Sequence, residues 1–228
     1  MKKLLETFEA LKQKNLSIDL TRGKPHSDQL DLSNDLMTQV VDPIGENGVD
    51  LRNYGEPIGI IEARKLGADI LDSKIDLTIA GEQSSYLLMT QLHLGRFLFG
   101  IDDDPWKDDK EPAFLCAVPG FDRHFATLEG LGLKMHTVNL CSSGIDLDDL
   151  NKKLSKYQNI KGLICVPRHS NPSGEVFSDE NITNLLKITK EYNPSFINLF
   201  DHAYLIHDFD ETKPQTPIPF LADGLGAL

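Results

Sequence analysis

The sequence is poor in positive charge: 23 Lys and Arg stand against 35 Asp and Glu, for a formal net charge of −12. That balance argues against non-specific nucleic-acid binding and against an anionic membrane surface, both of which need a cationic footprint. Cysteine is scarce too. Cys116, Cys141 and Cys165 lie far apart and fit no metal-ligand spacing. Two of the three sit in apolar, strand-like runs, where cysteine acts as a small buried hydrophobe. An odd count without a disulfide framework suits a reducing compartment. No apolar run approaches the roughly 20 residues of a membrane span. The first residues, MKKLLETFEALKQKN, interrupt their apolar positions with Glu6, Glu9 and Lys12, unlike a signal-peptide core. The expectation is a cytoplasmic protein. Neither G-x-x-x-x-G-K-[ST] nor G-x-G-x-x-G is found, so a nucleoside triphosphate or a dinucleotide is not indicated.

What the chain does contain is an alternation of helical and strand-like patterns over 228 residues, enough for one large domain with a small appendage. Leu4, Leu5, Phe8 and Leu11 form a helical stripe, which predicts a helix over 2–14. An irregular arm punctuated by Gly23 and Pro25 follows, then a predicted helix over 33–41 that stops before Pro43. NYGEPIGIIEARKLGADIL reads as a turn and an amphipathic helix. From residue 75 the expected order is strand IDLTIA, helix YLLMTQLHLGRFLF, strand AFLCAV, helix 121–131 and strand KMHTVN. Helix 146–157, strand KGLICV, helix 179–191 and strand FINLF complete it. This is an α/β pattern: a mostly parallel sheet with helices on both faces, preceded by an N-terminal helical arm. The proline-rich tail offers no element.

In such sheets ligands bind outside the carboxyl ends of the strands, so the residues after each strand matter most. After IDLTIA, Gln83, Ser84 and Ser85 open a helix, where free N–H groups and the dipole favour an anion; a plain serine N-cap is the alternative. After AFLCAV comes Phe121, a ring suited to stacking or to the core. After KGLICV comes PRHSNPSG, with Asn171 pinned before Pro172. After FINLF comes Asp201, a carboxylate costly to bury without a cation or donor. Tyr204 lies three residues on. A phosphate cup, a stacking ring, an amide for a phenolic oxygen and a carboxylate for a ring nitrogen describe a pyridoxal 5′-phosphate pocket.

The segments LTRGKP, NYGEPIGIIEAR, AGEQSSYLLM, PGFDRHF, VPRHSNPSG and FDHAYLIHDF run in order from residue 20 to 209. Together they resemble class I aminotransferases of the fold type I pyridoxal-phosphate superfamily, in the aspartate aminotransferase-like branch. Asn-Pro-Ser-Gly stands where that family usually has Asn-Pro-Thr-Gly. The resemblance implies that Gln83, Ser84 and Ser85 bind the phosphate and that Phe121 stacks on the pyridine. It gives Asn171 and Tyr204 the phenolic oxygen, and Asp201 the ring nitrogen. Tyr54 resembles a tyrosine reaching the phosphate of a neighbouring subunit's cofactor, which implies a homodimer, and Gly23 a glycine beside the substrate. The implied reaction moves an amino group between an amino acid and a 2-oxo acid. The implied domains are residues 1–45, an arm and part of a small domain, and 46–228, a partial cofactor-binding large domain.

The chain departs from the family in one respect. Only 27 residues follow Asp201, and their one lysine, Lys213 in ETKPQTP, does not match the family's Schiff-base lysine motif. The arginine that pairs the substrate carboxylate is also unmatched. The expectation is an N-terminal fragment, inactive alone, of an aminotransferase. The alternative is a non-catalytic remnant that binds cofactor weakly or serves a partner. Arg22, Arg123, Arg168 and His169 remain unassigned, the arginines as candidate substrate contacts or surface residues.

Overall fold

A computed structural model of the chain describes residues 2–18, 23–100 and 104–208. Arg22, Lys213 and the tail lie outside the described residues. The chain divides into two compact units, Met1–Pro43 and Ile44–Leu228.

In the first unit α1 (Lys2–Lys12) keeps all its residues exposed, its Leu4, Leu5, Phe8 and Leu11 stripe included. The helix expected over 33–41 is replaced by α2 (Ser27–Asp31) and a 3-10 turn at Asn34–Thr38. Local hydrogen bonding explains the shift. The His26 ring accepts from the Asp28 N–H, and the Gln29 side chain accepts from the His26 N–H at 2.8 Å, a reciprocal cap that starts the helix early. The Ser33 hydroxyl then takes the Leu30 carbonyl at 2.9 Å, and the chain tightens into the 3-10 turn.

The second unit contains α3 (Ile61–Leu71), α4 (Ser85–Leu98), β1 (Ala113–Val118), α5 (Asp122–Gly130), β2 (Lys134–Cys141) and β3 (Gly144–Ile145). It continues with α6 (Leu147–Lys156), β4 (Ile160–Cys165), α7 (Asp179–Tyr192) and β5 (Ile197–Phe200). The sheet order is β3-β2-β1-β4-β5. All pairings are parallel except the short antiparallel β2–β3 ribbon, which the sequence pattern did not reveal. Successive residues of β1 feed opposite faces. Ala113, Leu115 and Ala117 pack with Leu150 of α6 and with Ile182 and Leu185 of α7. Phe114 and Cys116 pack with Leu128 of α5, Trp106 and the apolar side of α4. Helices therefore cover both faces.

The expected strand IDLTIA is not a strand. Ile75–Leu77 form a 3-10 turn. The carbonyls of Ile75 and Thr78 accept instead from the Arg64 guanidinium, at 2.7 and 2.9 Å. With those acceptors taken by a side chain, no ladder is needed to satisfy them. Leu77 and Ile79 stay exposed.

The chain leaves β1 for β2 on one side, while β4 lies against β1 on the other and leads to β5. The boundary between β1 and β4 is thus the point where strand order reverses, and a crevice opens there at the carboxyl ends.

Candidate functional site

Three chain segments meet at this end of the sheet. After β1 a tight corner leads into α5. Gly120 is required there, because a Cβ at that position would lie 2.4 Å from the Ala117 carbonyl oxygen. The corner sets Phe121 at the N-cap of α5 and His124 one turn later, on the same side of the helix. Their rings meet edge to face at 5.2 Å. Phe121, His124, Ala117, Cys165, Val166 and Ser170 line a small cavity.

Asp201 follows β5 directly, and its N–H continues the β4–β5 pairing by donating to the Cys165 carbonyl at 2.9 Å. The side chain is buried. Its Oδ2 lies 2.8 Å from His124 Nε2, and its Oδ1 accepts from the Ala203 N–H at 3.0 Å. An ionised carboxylate only accepts, so the imidazole is the donor. Burial pushes the neighbouring Cys165 thiol up, and the Asp201 charge adds to that shift. His202 is driven down, chiefly by burial, despite the opposing pull of Asp201.

The loop after β4 carries Asn171, whose Nδ2 donates to the Tyr204 hydroxyl at 3.4 Å. At its base the buried Arg168 is engaged by Asp208: Nε donates to Oδ1 at 2.9 Å and the second nitrogen donates to Oδ2. His169 Nε2 meets the same Oδ1 at 2.7 Å. Partial burial pushes the Asp208 carboxyl up, but the hydrogen bonds from His169 and Arg168 outweigh it and hold the group below its ordinary range.

α4 begins at Ser85, with Ser84 as its N-cap residue but no cap bond from the Ser84 side chain. The plain serine-cap reading is therefore excluded. Tyr86, the next residue, lies 6.4 Å from His124 ring to ring, so this helix start belongs to the same end of the sheet. Gln83 and Ser85 are exposed and Ser84 is half-buried.

Phe121, Asn171, Asp201 and Tyr204 thus stand on the segments that follow β1, β4 and β5, with Ser84 and Ser85 at the start of α4. Tyr54 is 95% exposed, and Gly23 belongs to the other unit. Arg123 is exposed on α5. Two members were not named from sequence. His124 had a signal, its helical spacing from Phe121. Asp208 had a weaker one, a carboxylate four residues past Tyr204. No group of three or more His, Cys, Asp or Glu among the described residues is arranged to hold a metal ion, and no described helix is long and apolar enough to cross a membrane.

The family described as aspartate amino-transferase matches residues 1–223. The aspartate aminotransferase of Corynebacterium glutamicum is 35% identical over 212 residues, covering 91% of this chain and 49% of that protein. A crystal structure of an aspartate transaminase from the same species superposes with a TM-score of 0.87 at 34% identity, covering 99% of this chain and 54% of the other. A crystal structure from Corynebacterium diphtheriae gives 0.88 at 35% identity, with 99% and 56% covered. The chain spans about half the length of the curated relatives it matches.

Proposed function

From the premise that this chain belongs to the aspartate aminotransferase family, we propose that it supplies the cofactor-holding part of a pyridoxal 5′-phosphate enzyme. That enzyme transfers an amino group between an amino acid and a 2-oxo acid, in the cytoplasm. The observation that carries the reading is the buried His124–Asp201 pair at the β1/β4 crevice.

The residues fit the cofactor chemically. Each Asp201 oxygen has one protein partner, and a carboxylate offers about four lone-pair sites, so it can still accept from a ring N–H. The N-terminus of α4 has no side-chain cap, which leaves its first N–H groups and the Ser84 and Ser85 hydroxyls for a phosphate. Asn171 and Tyr204 offer donors for an ionised ring oxygen. When bound, pyridoxal phosphate supplies an electron sink for bonds at the substrate's α-carbon.

The protein's part is to hold that group in its reactive protonation state. Asp201 keeps a proton on the ring nitrogen by stabilising the cation with a buried anion. His124 donates to Asp201 Oδ2 and so fixes the carboxylate's direction. Phe121 would offer its ring to one face of the pyridine and would shed water from it. Gln83 would join the serines at the phosphate, and Tyr54 would serve a partner subunit's phosphate in a homodimer.

A second reading is a non-catalytic remnant that binds cofactor weakly or serves a partner. Titration with pyridoxine 5′-phosphate, which lacks the aldehyde, tests the shared part of both. Saturable binding of one ligand per chain, much weaker for unphosphorylated pyridoxine, is expected. Equal binding of the two ligands would remove the phosphate cup. Amino-group transfer between an amino acid and a 2-oxo acid, assayed with pyridoxal phosphate on a longer protein that contains this chain, then separates enzyme from remnant.

A further inference from the structure

We infer that Arg168 and Asp208 form a clamp between the loops after β4 and β5 that positions Asn171 and Tyr204 as a pair. Arg168 is then a positioning residue and not a receptor for a substrate carboxylate. The inference rests on the cofactor-site reading above.

Each loop is closed on itself. In the first, the Ser170 N–H donates to the Glu175 carbonyl and the Phe177 N–H to the Pro167 carbonyl, both at 2.9 Å, while the Gly174 N–H returns to Ser170. In the second, the Leu205 N–H donates to the His202 carbonyl at 3.2 Å and the His207 N–H to the Tyr204 carbonyl at 3.1 Å. Each therefore moves as one piece, and the ties between them decide how far Asn171 sits from Tyr204. The last backbone tie is the Asp201–Cys165 bond at the strand ends. Beyond it, the Asn171–Tyr204 contact is long at 3.4 Å and too weak to set its own geometry.

The Arg168–Asp208 contact is of another kind. It is charge-assisted and two-pronged, so it fixes direction as well as distance. Arg168 is only 8% exposed, and a guanidinium that deep needs a carboxylate. With both prongs on Asp208, it does not present its fork to a ligand. His169 holds Asp208 from a second side.

The test compares this chain with Asp208→Asn, Arg168→Lys and the pair Asn171→Ala/Tyr204→Phe. Asp208→Asn should weaken pyridoxine 5′-phosphate by about tenfold, the effect of roughly one lost hydrogen bond, and shift the absorption that reports ionisation of its ring hydroxyl. Arg168→Lys keeps the charge but not the fork, and should weaken binding similarly. In the Asn171→Ala/Tyr204→Phe background, Asp208→Asn should cause no further loss. Further weakening there, or wild-type affinity of Arg168→Lys, would overturn the clamp. Hydrogen exchange of the free chain reads it without ligand: Asp208→Asn should speed exchange at Asp201, whose N–H donates to Cys165 across the two strand ends, and leave β1 unchanged. Unchanged exchange at Asp201 contradicts the clamp. Failure of the unaltered chain to bind the ligand overturns the site reading instead.

Discussion

His124 Nε2 and Asp201 Oδ2 lie 2.8 Å apart, both buried and 77 residues apart in sequence. This contact joins the helix after β1 to the end of β5, across the strand between them. Removing the donor leaves a buried acceptor short of one partner. His124→Leu is expected to cost about 1–3 kcal/mol in urea unfolding. His124→Gln, which keeps an N–H, should cost less, and equal losses for the two would show that ring packing and not the hydrogen bond matters.

The helix starts of this fold are of two kinds. Asp146 accepts from the Asp148 and Asp149 N–H groups, and Ser178 from that of Asn181. Replacing either by alanine should cost about 1 kcal/mol. Ser84 makes no such bond, so Ser84→Ala should leave stability almost unchanged while weakening phosphate-bearing ligands. Thermal unfolding and ligand titration of the three variants measure both effects.

His93 is packed between Trp106 and Phe114, and burial, followed by the nearby His124, pushes its pKa from 6.5 down to about 4. Between those values the unfolded chain takes up a proton that the folded chain refuses. Stability contributed by neutral His93 is therefore present above about pH 6.5 and lost as pH falls toward 4. The full effect is about 3 kcal/mol. His93→Leu should flatten the stability curve over that window, and an unchanged slope would contradict this assignment.

The thiols divide in the same way. Burial pushes Cys116 up to about 12 and Cys165 higher still, whereas Cys141 is exposed. Because the thiolate is the reactive form, an aromatic disulfide reagent should titrate one thiol rapidly in the folded chain and all three in denaturant. Rapid reaction at Cys116 would contradict the burial of β1.

Runs such as AFLCAV and KGLICV announce β1 and β4 because strands covered on both faces are apolar throughout. Phe121, Asn171 and Asp201 could be read as strand-end residues for a related reason: each follows an apolar run that forms a strand. IDLTIA misled because its alternation is that of a strand, while the deciding partner, the guanidinium of Arg64, comes from α3 eleven or more residues earlier. His124 and Asp208 escaped notice since neither has meaning until the fold sets it against Asp201 or Arg168. Periodicity records which face a residue takes, not which charge it will meet.

The central claim is that Asp201 holds a proton on the cofactor's ring nitrogen. It is tested most directly by nitrogen NMR of ring-labelled pyridoxine 5′-phosphate bound to this chain, at a pH where the free ligand's ring nitrogen is deprotonated. The account predicts a protonated ring nitrogen in the unaltered chain and a deprotonated one with Asp201→Ala. The same nitrogen shift in both would contradict it.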